Sequence, residues 1–289
     1  MSYILHLLIL LSIYSVLSLS LNLLVGYTGL FSLAHAAFYG IGAYITTLLM
    51  VKAGWGFFPA LVVAILGTIV LSLIVAIPSL RLRGDYFVLA TLGFQTIIFY
   101  ILYNWVGLTN GPYGIPGIPR PKFLGFEINS IFAYSVFSIF LSGICLLLLW
   151  RICMSPFGRT LKAIRDDEIA ASALGKNIYR FKILAFVLSG AFASVSGALF
   201  ASYMRYIDPT SFTLMETVFI LSAVLIGGAG NIKGPIIGTM FVILLPEALR
   251  FLRIPDTIAP NVRQILYGLF ILALMRFRPQ GLGGEYRLQ

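Results

Sequence analysis

The stretch SPFGRTLKAIRDDEIAASALGKNIYRFK (Ser155–Lys182) is a polar island between two long apolar runs, IFAYSVFSIFLSGICLLLLW (131–150) and ILAFVLSGAFASVSGALFASY (183–203). Each run reaches the roughly 20 apolar residues that cross a hydrocarbon core. Because lipid offers no hydrogen-bond partners, the backbone of each run must pair within itself as a helix. The alternation therefore predicts an all-α polytopic membrane protein.

The composition of the whole chain also indicates a membrane protein. Of the 289 residues, 60% are hydrophobic and only 10% are charged, against about 25% charged in soluble domains. The net charge of +10 comes from bases at predicted helix ends rather than from one stripe, so no nucleic-acid partner is expected. Cys145 and Cys153 have neither metal-ligand spacing nor a disulfide framework, and we expect inert packing.

Nine hydrophobic segments divide the chain, which we treat as a single transmembrane domain (1–289) with a cytoplasmic coupling loop (155–182) and an external loop (107–128). The segments are Tyr3–Val25, His35–Val51, Phe58–Ile77, Tyr86–Val106, Ile131–Trp150, Ile183–Tyr203, Met215–Gly228, Pro235–Leu252 and Val262–Met275. The first is too long for a signal-peptide core, and we expect it to be retained. Two segments are short, and Gly26–Gly42 is rich in glycine and polar residues, which indicates broken or re-entrant helices.

Basic residues set the predicted orientation. With Ser155–Lys182 in the cytoplasm, the N-terminus lies outside, the C-terminus lies inside, and most Lys and Arg fall on the cytoplasmic side, as the positive-inside rule requires. The external loop GLTNGPYGIPGIPRPKFLGF (Gly107–Phe126) carries five glycines and four prolines. These exclude a regular helix and favour a shaped, turn-rich loop, with a plain surface connection as the alternative.

The polar island is predicted to form one helix. Ser155 is expected to cap it, Pro156 suits its first position, and Gly175 suits a left-handed closing residue. Pro156–Leu174 would then be a single rod of about 28 Å, at about 1.5 Å per residue. One stripe recurs at spacings of three or four residues: Leu161, Ile164, Glu168, Ala171 and Leu174. The stripe predicts either docking onto a partner or packing on the bilayer and the protein's own helix ends.

Two glycine-rich breaks echo each other. LVGYTG (24–29) resembles LIGGAG (225–230), each at the cytoplasmic end of an inward-running segment, and an internal duplication is left open. Gly-interrupted helices lie near the binding sites of many transporters, so the breaks are candidate hinges or pathway-lining positions. Close packing is the alternative, because small residues let membrane helices approach each other.

The sequence contains no G-x-x-x-x-G-K-[ST], H-E-x-x-H, C-x-x-C or G-x-S-x-G motif. We therefore expect no catalytic residue, no metal site and no ATP site in this chain. His6 and His35 stand alone and are expected to be satisfied or interface histidines. Asp85, Glu216 and Glu247 fall near segment ends, unlike the deep carboxylates of a proton-coupled carrier.

The polar island resembles the cytoplasmic coupling loop of ABC importer permeases, most of all the LivM-type permeases for branched-chain amino acids. The resemblance rests on GR (158–159) and AIRDDEIAASALG (163–175), in which Ile169 interrupts the broader E-A-A-x-x-x-G motif. In that group the loop docks into a groove on the ATPase subunit. The resemblance implies these ATPase-coupling residues: Arg159, Ile164, Arg165, Asp166, Asp167, Glu168, Ala170, Ala171, Leu174 and Gly175.

Four further motifs resemble the same family in the same order. They are RLRGDYF with ATLGF (81–87 and 90–94), LTNG with GIPGIP (108–111 and 114–119), GYTGLFSLAH (26–35), and GGAG with GP (227–230 and 234–235). The pathway or hinge candidates are Gly26, Gly29, His35, Thr91, Gly93, Gly227, Gly230 and Gly234. The candidates on the loop that would face a binding protein are Asn110, Gly111 and Gly114.

The resemblance implies a non-enzymatic permease subunit in a prokaryotic inner membrane, forming half of a pathway for branched-chain or similar aliphatic amino acids. It also implies a sister permease, two ATPase subunits that use ATP and Mg, and an external substrate-binding protein. This chain itself would bind no cofactor. The alternatives are an ABC permease for urea or short amides, an ATP-independent secondary carrier, and a membrane scaffold or integral-membrane enzyme.

Overall fold

The computed structural model describes residues 2–82, 84–123 and 126–250, with scattered positions between 262 and 283. Its described helices are α1 (Ser2–Thr28), α2 (His35–Val51), α3 (Phe57–Ser79), α4 (Asp85–Asn104), α5 (Val106–Thr109), α6 (Ile131–Met154), α7 (Pro156–Asp166), α8 (Glu168–Ala173), α9 (Ile178–Met204), α10 (Leu214–Gly227) and α11 (Lys233–Arg250). The described strands are β1 (Ile115–Pro116), β2 (Lys122–Phe123), β3 (Phe126–Glu127) and β4 (Tyr206–Ile207). β1 pairs antiparallel with β4, and β2 with β3.

Eight of the nine predicted hydrophobic segments coincide with helices of the described part of the chain. Among the described residues, five helices are long and apolar enough to cross a membrane: α1, α3, α4, α6 and α9. The apolar parts of α2, α10 and α11 are shorter. The ninth segment, Val262–Met275, falls mostly outside the described residues, so the count of nine stays a prediction. The all-α polytopic membrane fold agrees with the structure.

Helix α1 lies at the centre of the packing. Every residue from Ser15 to Thr28 is buried, as expected for a helix that is apolar on all sides. Helices α2 and α9 pack closely through small residues: a Cβ on Gly42 or on Gly197 would overlap the backbone of the opposite helix. This is the close approach that small residues permit in membranes.

The polar island and the external loop lie at opposite ends of the bundle. At one end, the Tyr179 hydroxyl donates to the Ile77 carbonyl oxygen at 2.7 Å, joining the start of α9 to the end of α3. At the other end, Lys52 Nζ donates to the carbonyl oxygens of Gly107 and Leu108 at 3.1 and 2.8 Å. We call these the α8 end and the β1 end.

The prediction of one unbroken helix over Pro156–Leu174 was wrong. The chain is extended at Asp167 (φ −156°, ψ 106°), and its carboxylate accepts from the N–H groups of Ile169 and Ala170 at 2.8 and 2.9 Å. An aspartate that caps following amides offers the backbone an alternative to a continuous helix. The expected Ser155 cap was also wrong, because its hydroxyl donates to the Ile152 carbonyl oxygen instead.

Candidate functional site

Helices α2 and α10 both begin inside the protein, and their first turns meet. The backbone N–H of Ala36 donates to Thr217 Oγ1 at 3.1 Å, and that hydroxyl donates to the Leu33 carbonyl oxygen at 3.3 Å. A helix leaves its first N–H groups without intrahelical partners, and the Thr217 side chain supplies one here. One hydroxyl therefore joins the starts of two short helices.

Two polar side chains of α4 complete this meeting point. Thr91 Oγ1 accepts from the Leu33 N–H at 3.0 Å, and Gln95 Oε1 accepts from the Ala37 N–H at 2.6 Å. The Gln95 amide nitrogen donates to the Phe212 carbonyl oxygen at 2.8 Å. Gln95 thus holds the start of α2 through its oxygen and the chain entering α10 through its nitrogen. Such groups need partners because the interior offers no bulk water.

The meeting point lies at the depth of the middle of α1. His35 Nε2 is 2.9 Å from Ser20 Oγ and 3.0 Å from the Leu17 carbonyl oxygen. Both residues are about 12 to 17 Å from the end of α1 at Thr28, at about 1.5 Å per residue. We call this cluster the midpoint junction; its members are Leu33, His35, Ala36, Ala37, Thr91, Gln95, Phe212 and Thr217.

Two of the eight predicted pathway or hinge residues fall in the midpoint junction. His35 and Thr91 belong to it, whereas Gly93 is exposed and a Cβ added there would meet nothing within 4 Å. The Nε2 atom of His35 is hydrogen-bonded, but its buried Nδ1 has no hydrogen-bond partner among the described residues. His6 is satisfied by the Tyr203 hydroxyl at 2.6 Å.

A carboxylate lies beside the midpoint junction. The Tyr14 hydroxyl donates to Glu216 Oε1 at 2.5 Å, and Tyr14 lies halfway along the 27 residues of α1. The sequence placed Glu216 near a segment end, and it does occupy the first turn of α10. The inference that this removes it from the interior was wrong, because α10 begins at mid-depth rather than at an end of the bundle.

The glycine-rich breaks pack against each other near the α8 end. Asn22 joins them: its Nδ2 donates to the Asn231 carbonyl oxygen at 2.7 Å, and its Oδ1 accepts from the Gly230 N–H at 3.0 Å. A Cβ on Gly26 would overlap the Gly230 nitrogen. This contact is what the packing alternative predicts, and a hinge role for these glycines stays a prediction.

The remaining glycine candidates are also tightly placed. A Cβ on Gly227 would overlap the Gly234 backbone, and one on Gly234 would overlap the Gly228 carbonyl oxygen. Gly29 has a φ of +71°, and a Cβ there would lie 3.2 Å from Arg165 Cγ. The Gly29 turn is therefore in direct contact with the polar island.

Helix α7 is held firmly to the protein's own body. Arg165 Nη1 donates to the Gly26 carbonyl oxygen at 2.6 Å, and its Nη2 pairs with Asp166 at 2.8 Å. Lys162 Nζ lies 5.1 Å from the centre of the Tyr27 ring, within cation–π range. Leu161 and Ile164 are fully buried. The packing alternative therefore describes α7.

Helix α8 presents its side chains outward instead. Ile169 is 83% exposed and Leu174 is 79% exposed, although both are large and apolar. Ala171 is buried, and Glu168 forms an ion pair with Lys182 at the start of α9. The other candidates on the island are arranged as follows: Arg159, Asp166, Asp167, Ala170 and Gly175 are exposed, and Arg165 is partly buried. The predicted stripe is thus buried in its first half and exposed at Glu168 and Leu174.

The external loop is ordered by the residues predicted to face a binding protein. Asn110 adopts a left-handed φ of 63°, and its Nδ2 donates to the Gly114 carbonyl oxygen at 2.7 Å. Gly111 and Gly114 also have positive φ, and a Cβ on Gly114 would overlap the Ile207 carbonyl oxygen. These residues shape the loop against β4. The prominent side chain is Tyr113, which is 76% exposed.

Sequence reasoning missed Gln95, Thr217, Tyr14 and Asn22. Each is a polar side chain inside an otherwise apolar run, and that contrast is the signal that could have drawn attention to them. Ile169 was quoted only as an interruption of a motif, yet it is the most exposed apolar side chain of α8. Among the described residues, no group of three or more His, Cys, Asp or Glu could hold a metal ion.

The chain is similar to one known protein family over most of its length. The family described as branched-chain amino acid transport system, permease component, matches residues 3–275. The high-affinity branched-chain amino acid transport system permease protein LivM of Escherichia coli (strain K12) is 34% identical over 93% of this chain and 67% of its own. A probable branched-chain amino acid transport permease protein LivM of Methanocaldococcus jannaschii is 26% identical over 93% of this chain and 90% of its own.

Other relatives are named for a different role. The autoinducer 2 import system permease protein LsrC of Salmonella typhimurium is 30% identical over 71% of this chain and 59% of its own. No solved structure matches the chain. The resemblance drawn from the sequence motifs is confirmed by the family match, which includes the midpoint junction, the external loop and the polar island. The chain belongs to the family of branched-chain amino acid transport system permease components.

Proposed function

We propose that this chain forms half of the translocation pathway of an ATP-driven importer of branched-chain or similar aliphatic amino acids. Separate ATPase subunits would hydrolyse the ATP with Mg, a sister permease would complete the pathway, and an external binding protein would deliver the substrate. The observation that carries the proposal is at α8: two large apolar side chains, Ile169 within the helix and Leu174 directly after it, are highly exposed. Exposed apolar groups of this kind mark a contact surface.

The contacts of α7 provide the route from that surface to the spans. A partner that displaces α8 would act on α7 through Asp167, and α7 is tied to α1 by Arg165 and the Gly26 carbonyl group. Asn22, about one turn before Gly26 on α1, is hydrogen-bonded to Gly230 and Asn231, which lie just before α11. ATP binding elsewhere would thereby favour one of two packings of the spans.

The midpoint junction is the place where those spans can separate. Helices α2 and α10 are short, begin at mid-depth and are joined to each other by side-chain hydrogen bonds rather than by continuous helix. Transporters commonly build their substrate sites from discontinuous helices near the bilayer midplane. A change in the angle between α1, α10 and α11 would alter this junction without unfolding any helix.

The orientation follows from the same proposal. The α8 end would lie in the cytoplasm, where ATPases work, and the β1 end would face the binding protein outside the cell membrane. Tyr113, exposed on the ordered external loop, is the residue best placed to meet that protein. The N-terminus would then lie outside and the C-terminus in the cytoplasm.

Transport by the reconstituted complex tests the proposal. The chain would be co-expressed with the sister permease and ATPase genes of its own organism and placed in proteoliposomes with the loaded binding protein. Uptake of radiolabelled L-leucine should require ATP on the α8 side. Uptake driven by an ion gradient without ATP would establish the secondary-carrier alternative, and ATP-driven uptake of urea but not leucine would establish the amide-importer alternative.

A further inference from the structure

The pair Tyr14 and Glu216 has no part in the hydrogen bonds of the midpoint junction, yet it lies at the same depth. Tyr14 is halfway along α1, about 20 Å from either end at about 1.5 Å per residue, and its hydroxyl donates to Glu216 at 2.5 Å. The Tyr14 ring meets Phe219 edge-on with centroids 5.4 Å apart. These contacts hold the Glu216 carboxylate in a fixed position on the wall formed by α1 and α10.

The carboxylate is only partly covered by the described residues. Glu216 and Tyr14 are both partly exposed, and their neighbours Met215 and Val218 are 58% and 42% exposed. Among the described residues, Glu216 has a hydroxyl as its hydrogen-bond donor and no cationic partner. Ionisable side chains at mid-depth in membrane proteins face a protein interior or a water-filled cavity rather than lipid, and they mark substrate pathways. By this rule we expect the wall to face the pathway and not the bilayer.

A second polar group points to the same place. The Tyr39 hydroxyl of α2 is buried, lies beside Tyr14 and Glu216, and makes no hydrogen bond of ordinary geometry with the described residues. Buried hydroxyl groups normally find a partner. Three polar groups from α1, α2 and α10 thus converge where two short helices begin.

We propose that Glu216, positioned by Tyr14, binds the ammonium group of the amino acid as it passes the midpoint of the pathway. The inference rests on the proposed function and adds to it the residue that recognises the substrate's positive charge. A zwitterion that leaves water must exchange hydrogen bonds to its ammonium group for protein acceptors, and a carboxylate is the strongest acceptor available. The apolar side chains of Met215, Val218 and Phe219 beside it suit an aliphatic substrate.

Transport by charge-neutral variants tests the assignment. In proteoliposomes containing the full complex, Glu216→Gln should lower ATP-driven uptake of radiolabelled L-leucine about tenfold, equivalent to about 1.4 kcal/mol of lost interaction. ATP hydrolysis stimulated by the loaded binding protein should continue, and Glu216→Asp should restore part of the uptake. Glu247→Gln makes the same chemical change on α11 and should transport like the wild type.

The outcomes separate this inference from the proposed function. A wild-type complex that fails to import leucine with ATP would overturn the proposed function itself. A working wild type with Glu216→Gln transporting as well as Glu247→Gln would overturn the ammonium assignment alone.

A thiol probe decides the matter if Glu216→Gln does not assemble. Phe219→Cys places a thiol three residues along on the same helix face, and the native Cys145 and Cys153 are buried. A cationic methanethiosulfonate should modify Phe219→Cys faster than an anionic one, and binding protein loaded with leucine should slow both. Phe219→Cys combined with Glu216→Asp keeps a carboxylate at this position and should therefore keep the preference for the cationic reagent. An unreactive thiol, or equal rates for both reagents with Glu216 intact, would contradict the assignment.

Discussion

Arg165 of α7 donates from Nη1 to the carbonyl oxygen of Gly26 at 2.6 Å, so a cationic side chain from the polar island closes the last turn of the central helix. The Arg165 side chain is only 9% exposed. A cation at a helix C-terminus also interacts favourably with the helix dipole. This contact joins the surface that would receive an ATPase to the helix on which the bundle is built.

Removing the Arg165 contact should uncouple the surface that would receive the ATPase from helix α1. Hydrogen bonds to charged groups contribute about 1.5–3 kcal/mol, so Arg165→Ala should reduce ATP-driven uptake by about tenfold or more, at about 1.4 kcal/mol per factor of ten. ATPase subunits should still co-purify, because α8 is unchanged. Lys176→Ala, an exposed cation on the same loop, is the control. Equal uptake by both variants would show that the Arg165 contact transmits nothing.

The exposed apolar side chains of α8 should be needed for assembly. Ile169→Glu places a charge on a surface that we expect to be buried by the ATPase, and burial of an unpaired charge is costly. The variant should insert in the membrane but lose its ATPase subunits during purification. The control is Ala163→Glu, which places the same charge on an exposed apolar residue of α7 and should keep its ATPase subunits during purification. Retention of the ATPases by Ile169→Glu would place the interface elsewhere.

The turn after α8 should be sensitive to backbone strain. Gly175 has a φ of +76°, a conformation that costs an L-residue about 1–2 kcal/mol. Gly175→Val should therefore displace the end of α8 and lower transport-coupled ATP hydrolysis. Gly54→Val carries the same strain at a φ of +68° on the β1 end, with open space around it. If both variants hydrolyse ATP at the same rate during transport, the position of α8 is not critical.

Gln95 should stabilise the fold through the midpoint junction. Gln95→Leu leaves the buried Phe212 carbonyl oxygen without its donor and removes a partner of the Ala37 N–H. Each unsatisfied buried group costs about 1–3 kcal/mol, so the melting temperature of the detergent-solubilised protein should fall. Thr96→Val, one residue along on the exposed side of α4, removes a hydroxyl without this effect. Similar melting temperatures for the two variants would argue against the junction.

Gly26 should tolerate no side chain. A Cβ there would overlap the Gly230 nitrogen, whereas a Cβ on Gly143 of α6 would meet nothing within 4 Å. Gly143→Ala should raise the unfolding free energy by about 0.5–1 kcal/mol, because alanine favours a helix over glycine. Gly26→Ala should lower stability and transport together. A Gly26→Ala protein as stable as Gly143→Ala would mean that the two glycine-rich breaks do not pack as described.

Much of the fold was predictable from the pattern of apolar runs. The bounds predicted for His35–Val51 are those of α2, and the other seven described spans lie within a few residues of their predicted segments. Run length and apolar content decide that a helix forms in lipid. Run length and apolar content do not determine the depth in the membrane at which a helix begins. The buried starts of α2 and α10, and with them the depth of Glu216, were therefore not foreseen.

The candidate site was harder to predict, because its parts are single residues far apart in the chain. Gln95 and Thr217 are isolated polar residues whose role depends on three-dimensional contact with the start of α2. On the polar island, nothing in the sequence predicts a break at Asp166, Asp167 and Glu168, because acidic residues are compatible with a continuous helix. Only the extended backbone at Asp167 and the hydrogen bonds that its carboxylate accepts from the N–H groups of Ile169 and Ala170 reveal the break.

Site-directed crosslinking of α8 to the ATPase tests the central claim most directly. A cysteine placed at Ile169, which is 83% exposed, would be treated with a short bifunctional thiol reagent in membranes that contain the full complex. We predict a crosslink to the ATPase subunit whose yield changes when ATP is bound. Modification of that cysteine from outside the cell, or the absence of any ATPase crosslink in a complex that transports leucine, would contradict the account.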